Sequence, residues 1–134
     1  MWIKGVENFM LIERVYTLHE HFRKSQHRSH WDLRILSINK KFALSFVIPK
    51  QKFPDETERK ILVIRTPDHS LSALNLQGTL ENNDTMKILE KGKCTFVSYA
   101  DNKIDVIFHG RIVRGHFIFV KLDENGWLLI GKRE

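Results

Sequence analysis

Four of the seven histidines stand close together, at His19, His21, His27 and His30, and Asp32 and Arg34 follow directly. In an extended chain, residues i, i+2 and i+4 share one face. His30, Asp32 and Arg34 therefore line up, while Trp31, Leu33 and Ile35 turn to the opposite side. Same-face neighbours are about 7 Å apart at the backbone, near enough for an imidazole and a carboxylate to converge on one ion. That donor pair suits manganese, iron or zinc. A guanidinium one step further can grip phosphate oxygens in bidentate fashion. Metal plus arginine is a common device for stabilising charge on a phosphoryl group. A third ligand is needed. His19 and His21 form another i, i+2 pair on an expected neighbouring strand, and His21 is the expected ligand. The run Arg65-Thr66-Pro67-Asp68-His69 ends a strand candidate at a proline. His69 there could donate to a phosphate oxygen or act as a general acid, or serve only as a turn residue.

Short strand-like stretches dominate the rest of the chain. Met10 to Leu18 is apolar and β-branched, His30 to Ile38 alternates, and Phe42 to Ile48 is a short apolar run. Ile61 to Arg65 is expected to stop at Pro67. Met86 to Leu89 and Cys94 to Tyr99 are expected to be parted by a hairpin-like break at Lys91-Gly92-Lys93. Asp101-Asn102-Lys103 marks a turn, Ile104 to His109 alternates, and Asn125-Gly126 is a strong hairpin signal between Gly115–Leu122 and Trp127–Ile130. Sustained helical periodicity is scarce, and the best helix candidate is Phe22 to Ser29. The expected fold is all-β and mainly antiparallel: a compact β-barrel with short peripheral helical segments, forming one domain over residues 1–134. His109 and His116 lie in strands near glycines and read as structural or exposed. Lys40-Lys41, Lys50-Lys52 and Arg59-Lys60 read as solvated, or as a track for a nucleic-acid backbone.

The chain has 134 residues, 42% of them hydrophobic, enough for a core and against global disorder. Its formal charge is +6, which favours a polyanionic partner such as nucleic acid. One cysteine, Cys94, excludes an internal disulfide. No apolar run approaches the ~20 residues of a membrane helix. Residues Met1 to Asn8 lack signal-peptide character, so a cytoplasmic, nucleoid-associated location and no membrane partner are expected.

From about Tyr16 to Arg133 the chain resembles the 3′-phosphoesterase domain of the DNA ligase D repair family. His30-Trp31-Asp32-Leu33-Arg34 is similar to the family's His-aromatic-Asp-x-Arg, and His19-Glu20-His21 to its [Gln/His]-x-His. Arg65-Thr66-Pro67-Asp68-His69-Ser70-Leu71 is similar to Arg-Thr-Glu-Asp-His-Pro-Leu. His109 to Phe117 fits a late glycine-bounded strand turn, and Trp127 to Arg133 resembles the family's terminal Trp-Leu-Leu-Ile-Lys stretch. The resemblance implies a manganese-dependent enzyme of strand-break repair with a β-barrel core. Its task would be removal of a 3′-terminal ribonucleoside, a 3′-phosphate or both from a primer end. His21, His30 and Asp32 would be metal ligands, with Zn²⁺ or Co²⁺ as alternatives to Mn²⁺, and Arg34 and His69 would hold the scissile phosphate. The implied partners are DNA or DNA/RNA primer–template 3′ ends, with a separate DNA ligase or polymerase, and the enzyme would act as a monomer. The family's shorter spacing to the second histidine falls on Lys24 here, which leaves His19 and His27 as alternative third ligands. The family's tyrosine downstream of the rim histidine falls on Ala73, and an upstream arginine on Ile61, with Arg59 and Lys60 beside it. The glycine-rich segment is shortened to Thr79–Asp84. Those losses motivate a second reading, an end-binding barrel with weakened catalysis. A third, a non-haem iron oxygenase with a facial triad, is disfavoured by the short chain and by Arg34 beside the metal pair.

Overall fold

The computed structural model describes residues 9–133, so the amino-terminal reading of Met1 to Asn8 lies outside the described residues. Nine strands form one antiparallel sheet: β1 (Phe9–Arg23), β2 (Arg28–Leu36), β3 (Ala43–Ile48), β4 (Lys60–His69), β5 (Gly78–Thr79), β6 (Thr85–Ala100), β7 (Lys103–His109), β8 (Arg114–Lys121) and β9 (Gly126–Gly131). Their order is β1-β2-β3-β4-β9-β8-β7-β6-β5, and β1 also pairs with β6, which closes eight of the strands into a ring. The small β5 flanks the start of β6. The one helical element among the described residues is a 3-10 turn, Leu71–Asn75. The expected all-β, antiparallel barrel is the observed fold, with the expected peripheral helical segments reduced, among the described residues, to this one 3-10 turn.

Alternation decides which side chains enter the barrel. Leu33 and Ile35 of β2 face inward beside Tyr16 and Leu18 of β1, and all are essentially inaccessible. Phe46 stacks on Phe119 with ring centroids 4.5 Å apart and meets Trp127 edge-on. Each such side chain contributes about 1.5–3 kcal/mol by leaving water. At the barrel end where β1 finishes and β2 begins, Trp31, Phe53, Phe108 and Phe117 form a chain of aromatic contacts.

Three expectations fail, each for a local reason. No helix forms over Phe22 to Ser29. Instead β1 runs on to Arg23, a tight turn reverses the chain with His27 at φ 49°, and Arg23 pairs with Arg28. Pro67 does not stop β4. Beyond Ile64 that strand pairs only with β3, and its register slips between Ser45 and Ala43, so the missing N–H falls at an irregularity on a one-sided stretch. Lys91-Gly92-Lys93 is no hairpin, and β6 passes straight through it. A Cβ on Gly92 would lie 2.5 Å from Tyr16 Oη, so this glycine marks the close approach of β6 to an aromatic ring.

Candidate metal centre

The outward face of β1 and β2 is polar. His30, Asp32 and Arg34 stand on it, and the register sets His21 opposite His30, His19 opposite Asp32, and Thr17 opposite Arg34. Such a face ordinarily meets water. Here the connection from β4 to β6, residues 70–84, folds across it. Thr17 Oγ1 donates to Leu74 O at 2.7 Å, His19 Nε2 bonds Leu76 O at 2.7 Å, and Arg34 Nη1 faces Ala73 O at 3.5 Å. Backbone carbonyls of an irregular segment need donors when they leave water, and these side chains supply them. As a result Thr17, His19, Asp32 and Arg34 are all buried.

His21, His30 and Asp32 each offer a ligand atom, and the three atoms lie within 4.8 Å of one another. The hairpin explains how residues so far apart in sequence meet. Antiparallel pairing sets His21 and His30 face to face, with ring centroids 4.6 Å apart, so a longer connecting turn displaces neither. His21 Nδ1 is 2.9 Å from Asp32 Oδ2. His30 Nε2 lies 2.8 Å from Asp32 Oδ1, yet the geometry makes no hydrogen bond, and Oδ1 is a buried oxygen without a donor. Beside it, Arg34 Nη2 is 3.4 Å from Asp32 Oδ2, and the buried Arg34 Nε has no acceptor. Two orphaned groups of opposite demand thus lie side by side. A cation between His21, His30 and Asp32 would satisfy the first, and an anion beside Arg34 the second. Two imidazoles and one carboxylate suit a divalent transition ion such as manganese, zinc or cobalt.

Burial alone would raise the Asp32 pKa, but His21, His30 and Arg34 outweigh it and hold the carboxyl well below its usual range. The hydrogen bond to Asp32 pushes the His21 pKa up against the cost of burial, and Asp84 adds to that effect. Burial lowers the pKa of His19 and of Arg34.

Asp84 is the residue that sequence reasoning passed over. Its Oδ2 lies 2.8 Å from His21 Nε2, and its Oδ1 accepts the Lys24 backbone N–H at 3.1 Å. With His21 neutral, donation from Nε2 to Asp84 leaves the Nδ1 lone pair facing the cluster, the arrangement in which an outer carboxylate orients a metal-binding imidazole. The signal was present in the departure of Thr79–Asp84 from the family's glycine-rich segment, although nothing in sequence tied Asp84 to His21.

The other candidates fall elsewhere. His19 is bonded to the Leu76 carbonyl, and His27 is exposed in the turn. His69 shares the outward face, since it pairs with Ala43 while Ser45 pairs with both Thr66 and Arg34. It is two strands and one same-face step from Arg34, roughly 12 Å at the backbone. Its Nδ1 is 2.8 Å from Pro67 O. His109 is exposed and meets Thr95 Oγ1 at 2.9 Å. Lys50 and Lys52 pair with Glu58 and Asp55 inside their own loop.

The family model of the DNA ligase D 3′-phosphoesterase domain matches residues 19–121, more than three quarters of the chain. The chain belongs to that family. The matched span contains the whole cluster, from His21 through Asp84, together with Arg34 and His69. Members are phosphoesterases of 3′ ends, so hydrolysis at nucleic-acid ends is the chemistry of the family. No curated protein matches the chain. The family departures have structural accounts. Ile61 is a core residue, 1% exposed, where an arginine would be buried without partners. Ala73 is buried, and its carbonyl faces Arg34. None of the described helices is long and apolar enough to cross a membrane.

Proposed function

We propose that this protein is a metal-dependent 3′-end-healing phosphoesterase. It removes a 3′-phosphate, a 3′-terminal ribonucleoside or both from DNA primer ends, with manganese as the preferred ion. The observation that carries this reading is the convergence of His21, His30 and Asp32 beside the under-bonded guanidinium of Arg34, in a chain of this family.

His21, His30 and Asp32 would hold the ion, whose chemistry when bound is to polarise the phosphate and lower the pKa of a water. The residues divide the remaining work. Asp84 keeps His21 turned toward the cluster. Arg34 binds the non-bridging oxygens and offsets the charge that builds up on phosphorus. His69 is proposed to donate to the phosphate from the far side. The burial of Asp32 and Arg34 strengthens their interactions relative to water. The +6 charge favours approach of a polyanionic end, and a separate ligase or polymerase would take the healed end onward in the cytoplasm or nucleoid.

The test is incubation of a 3′-phosphate-ended primer–template with the manganese-loaded protein. Phosphate release that is lost on His30→Ala is expected. Manganese binding without any release would overturn the reading in favour of an end-binding barrel of weakened catalysis. That second reading has its own support in the depth of Arg34, which is 5% exposed beneath the 3-10 turn. It predicts salt-dependent binding of primer ends without turnover.

A further inference from the structure

On the barrel wall away from the cluster, the start of β8, the end of β9 and the loop before β4 enclose an open cavity of about 720 Å³. That is within the ~300–1,000 Å³ of functional sites. Buried Pro54 and Phe117 line it on the apolar side. Arg59, Arg114, His116, Lys132 and Arg133 also line it, against the single acid Glu56. Two of the cationic side chains are tied to the frame: Arg59 Nη2 donates to Gly131 O, and Arg114 Nη1 to Gly110 O. His116 Nε2 is hydrogen-bonded to Asp105, a nearly buried carboxylate with Lys132 Nζ 3.8 Å from its other oxygen. Nothing in the metal centre uses these groups.

Excess positive charge around a concave, semi-rigid wall fits a phosphodiester backbone. Position strengthens the fit. His30 stands near the start of β2, which is the end of the barrel where β3 and β9 finish and β4 and β8 begin, so the cavity and the cluster lie at the same end. From β2 to β8 is four strands in either direction round the ring of eight, so the cluster and the cavity sit on opposite sides of this end of the barrel. A duplex that reaches both must cross this end of the barrel, a width of several base pairs at ~3.4 Å per nucleotide.

We infer that this cavity is a second nucleic-acid site, which grips the duplex backbone of a primer–template several base pairs from the 3′ end held at the cluster. The inference rests on the end-processing reading of that cluster. It assigns Arg114 and Lys132 as phosphate contacts that set affinity and leave the reacting atoms alone.

The experiment measures dissociation constants across a salt series for primer–templates with duplexes of 4 and 12 base pairs, using wild type, Arg114→Ala/Lys132→Ala and the milder Arg114→Gln. Thermal melts confirm that each variant is folded. Removing two phosphate contacts should lower the slope of log K against log salt by about 2, and removing one by about 1. The 12-base-pair affinity should fall at least tenfold at low salt, and the 4-base-pair affinity should stay close to wild type. Manganese affinity should be unchanged. An unchanged salt slope for the long duplex overturns the inference. So does equal weakening for both lengths, or competition by a mononucleotide or inorganic phosphate at the same residues, which would mark a small-anion site. If wild type binds manganese but releases no phosphate, while the length-dependent loss persists, the end-processing reading fails and the second site stands.

Discussion

Replacing Asp84 tests whether the cluster is organised as a metal centre. The carboxylate serves two donors, His21 Nε2 at 2.8 Å and the Lys24 backbone N–H at 3.1 Å, one on each oxygen. Asp84→Asn leaves a single acceptor oxygen, so one donor keeps its bond and the other meets an amide N–H. Asp84→Ala removes both bonds, releases the His21 ring and frees the loop end from the β1–β2 turn. Loss of an outer carboxylate on a metal-binding histidine typically costs 10- to 100-fold in metal affinity. About tenfold is therefore expected for Asp84→Asn and approaching 100-fold for Asp84→Ala. His30→Ala, which deletes a proposed ligand, should bind more weakly than either. Manganese titration followed by electron paramagnetic resonance of the free ion reads the affinity directly, without reference to turnover. Wild-type affinity in Asp84→Ala, alongside a large loss in His30→Ala, would refute the positioning role of Asp84.

Other outcomes follow from the barrel itself. A Cβ on Gly110 would lie 1.8 Å from Tyr16 Oη and 2.5 Å from Glu90 Oε2, so Gly110→Ala should destabilise by about 1–3 kcal/mol or more in urea unfolding. Glu90 accepts the backbone N–H groups of Arg111, Ile112 and Val113 and the Tyr16 hydroxyl. Burial raises its pKa, but these donors outweigh that and hold it below the usual carboxylate range. Its stabilisation is then present above the unfolded value of about 4.3 and is lost as pH falls through the lower folded value. The stability gap between wild type and Glu90→Gln should therefore be widest near neutral pH and close in acid, and a gap that widens in acid would contradict this account. Burial pushes the Cys94 thiol up to about 12, so iodoacetamide at pH 8 should label it only after unfolding. Prompt labelling of the native protein would show that β6 opens locally.

The period-two pattern from His30 to Ile38 was enough to separate a polar face from a core face, because strand geometry depends only on alternation. Turn chemistry at Asn125-Gly126 was equally local, and the hairpin stands where it was expected. Local signals misled where a long-range partner overrode them. Gly92 resembles a turn until Tyr16 is packed on it, and Pro67 resembles a terminus until β4 is seen to pair on one side only. Phe22 to Ser29 carried weak helical character, which pairing of β1 with β2 displaced.

The sequence by itself determined that His30, Asp32 and Arg34 face one way, and what chemistry those types can do. It left open which histidine joins them. Only the hairpin register set His21 against His30, because cross-strand distance is blind to the length of the turn between. Tertiary structure alone also decided that the polar face is covered. The 70–84 segment buries Asp32 and Arg34 and brings Asp84 to His21, turning a row of polar side chains into a largely buried, hydrogen-bonded cluster whose electrostatic interactions are strengthened.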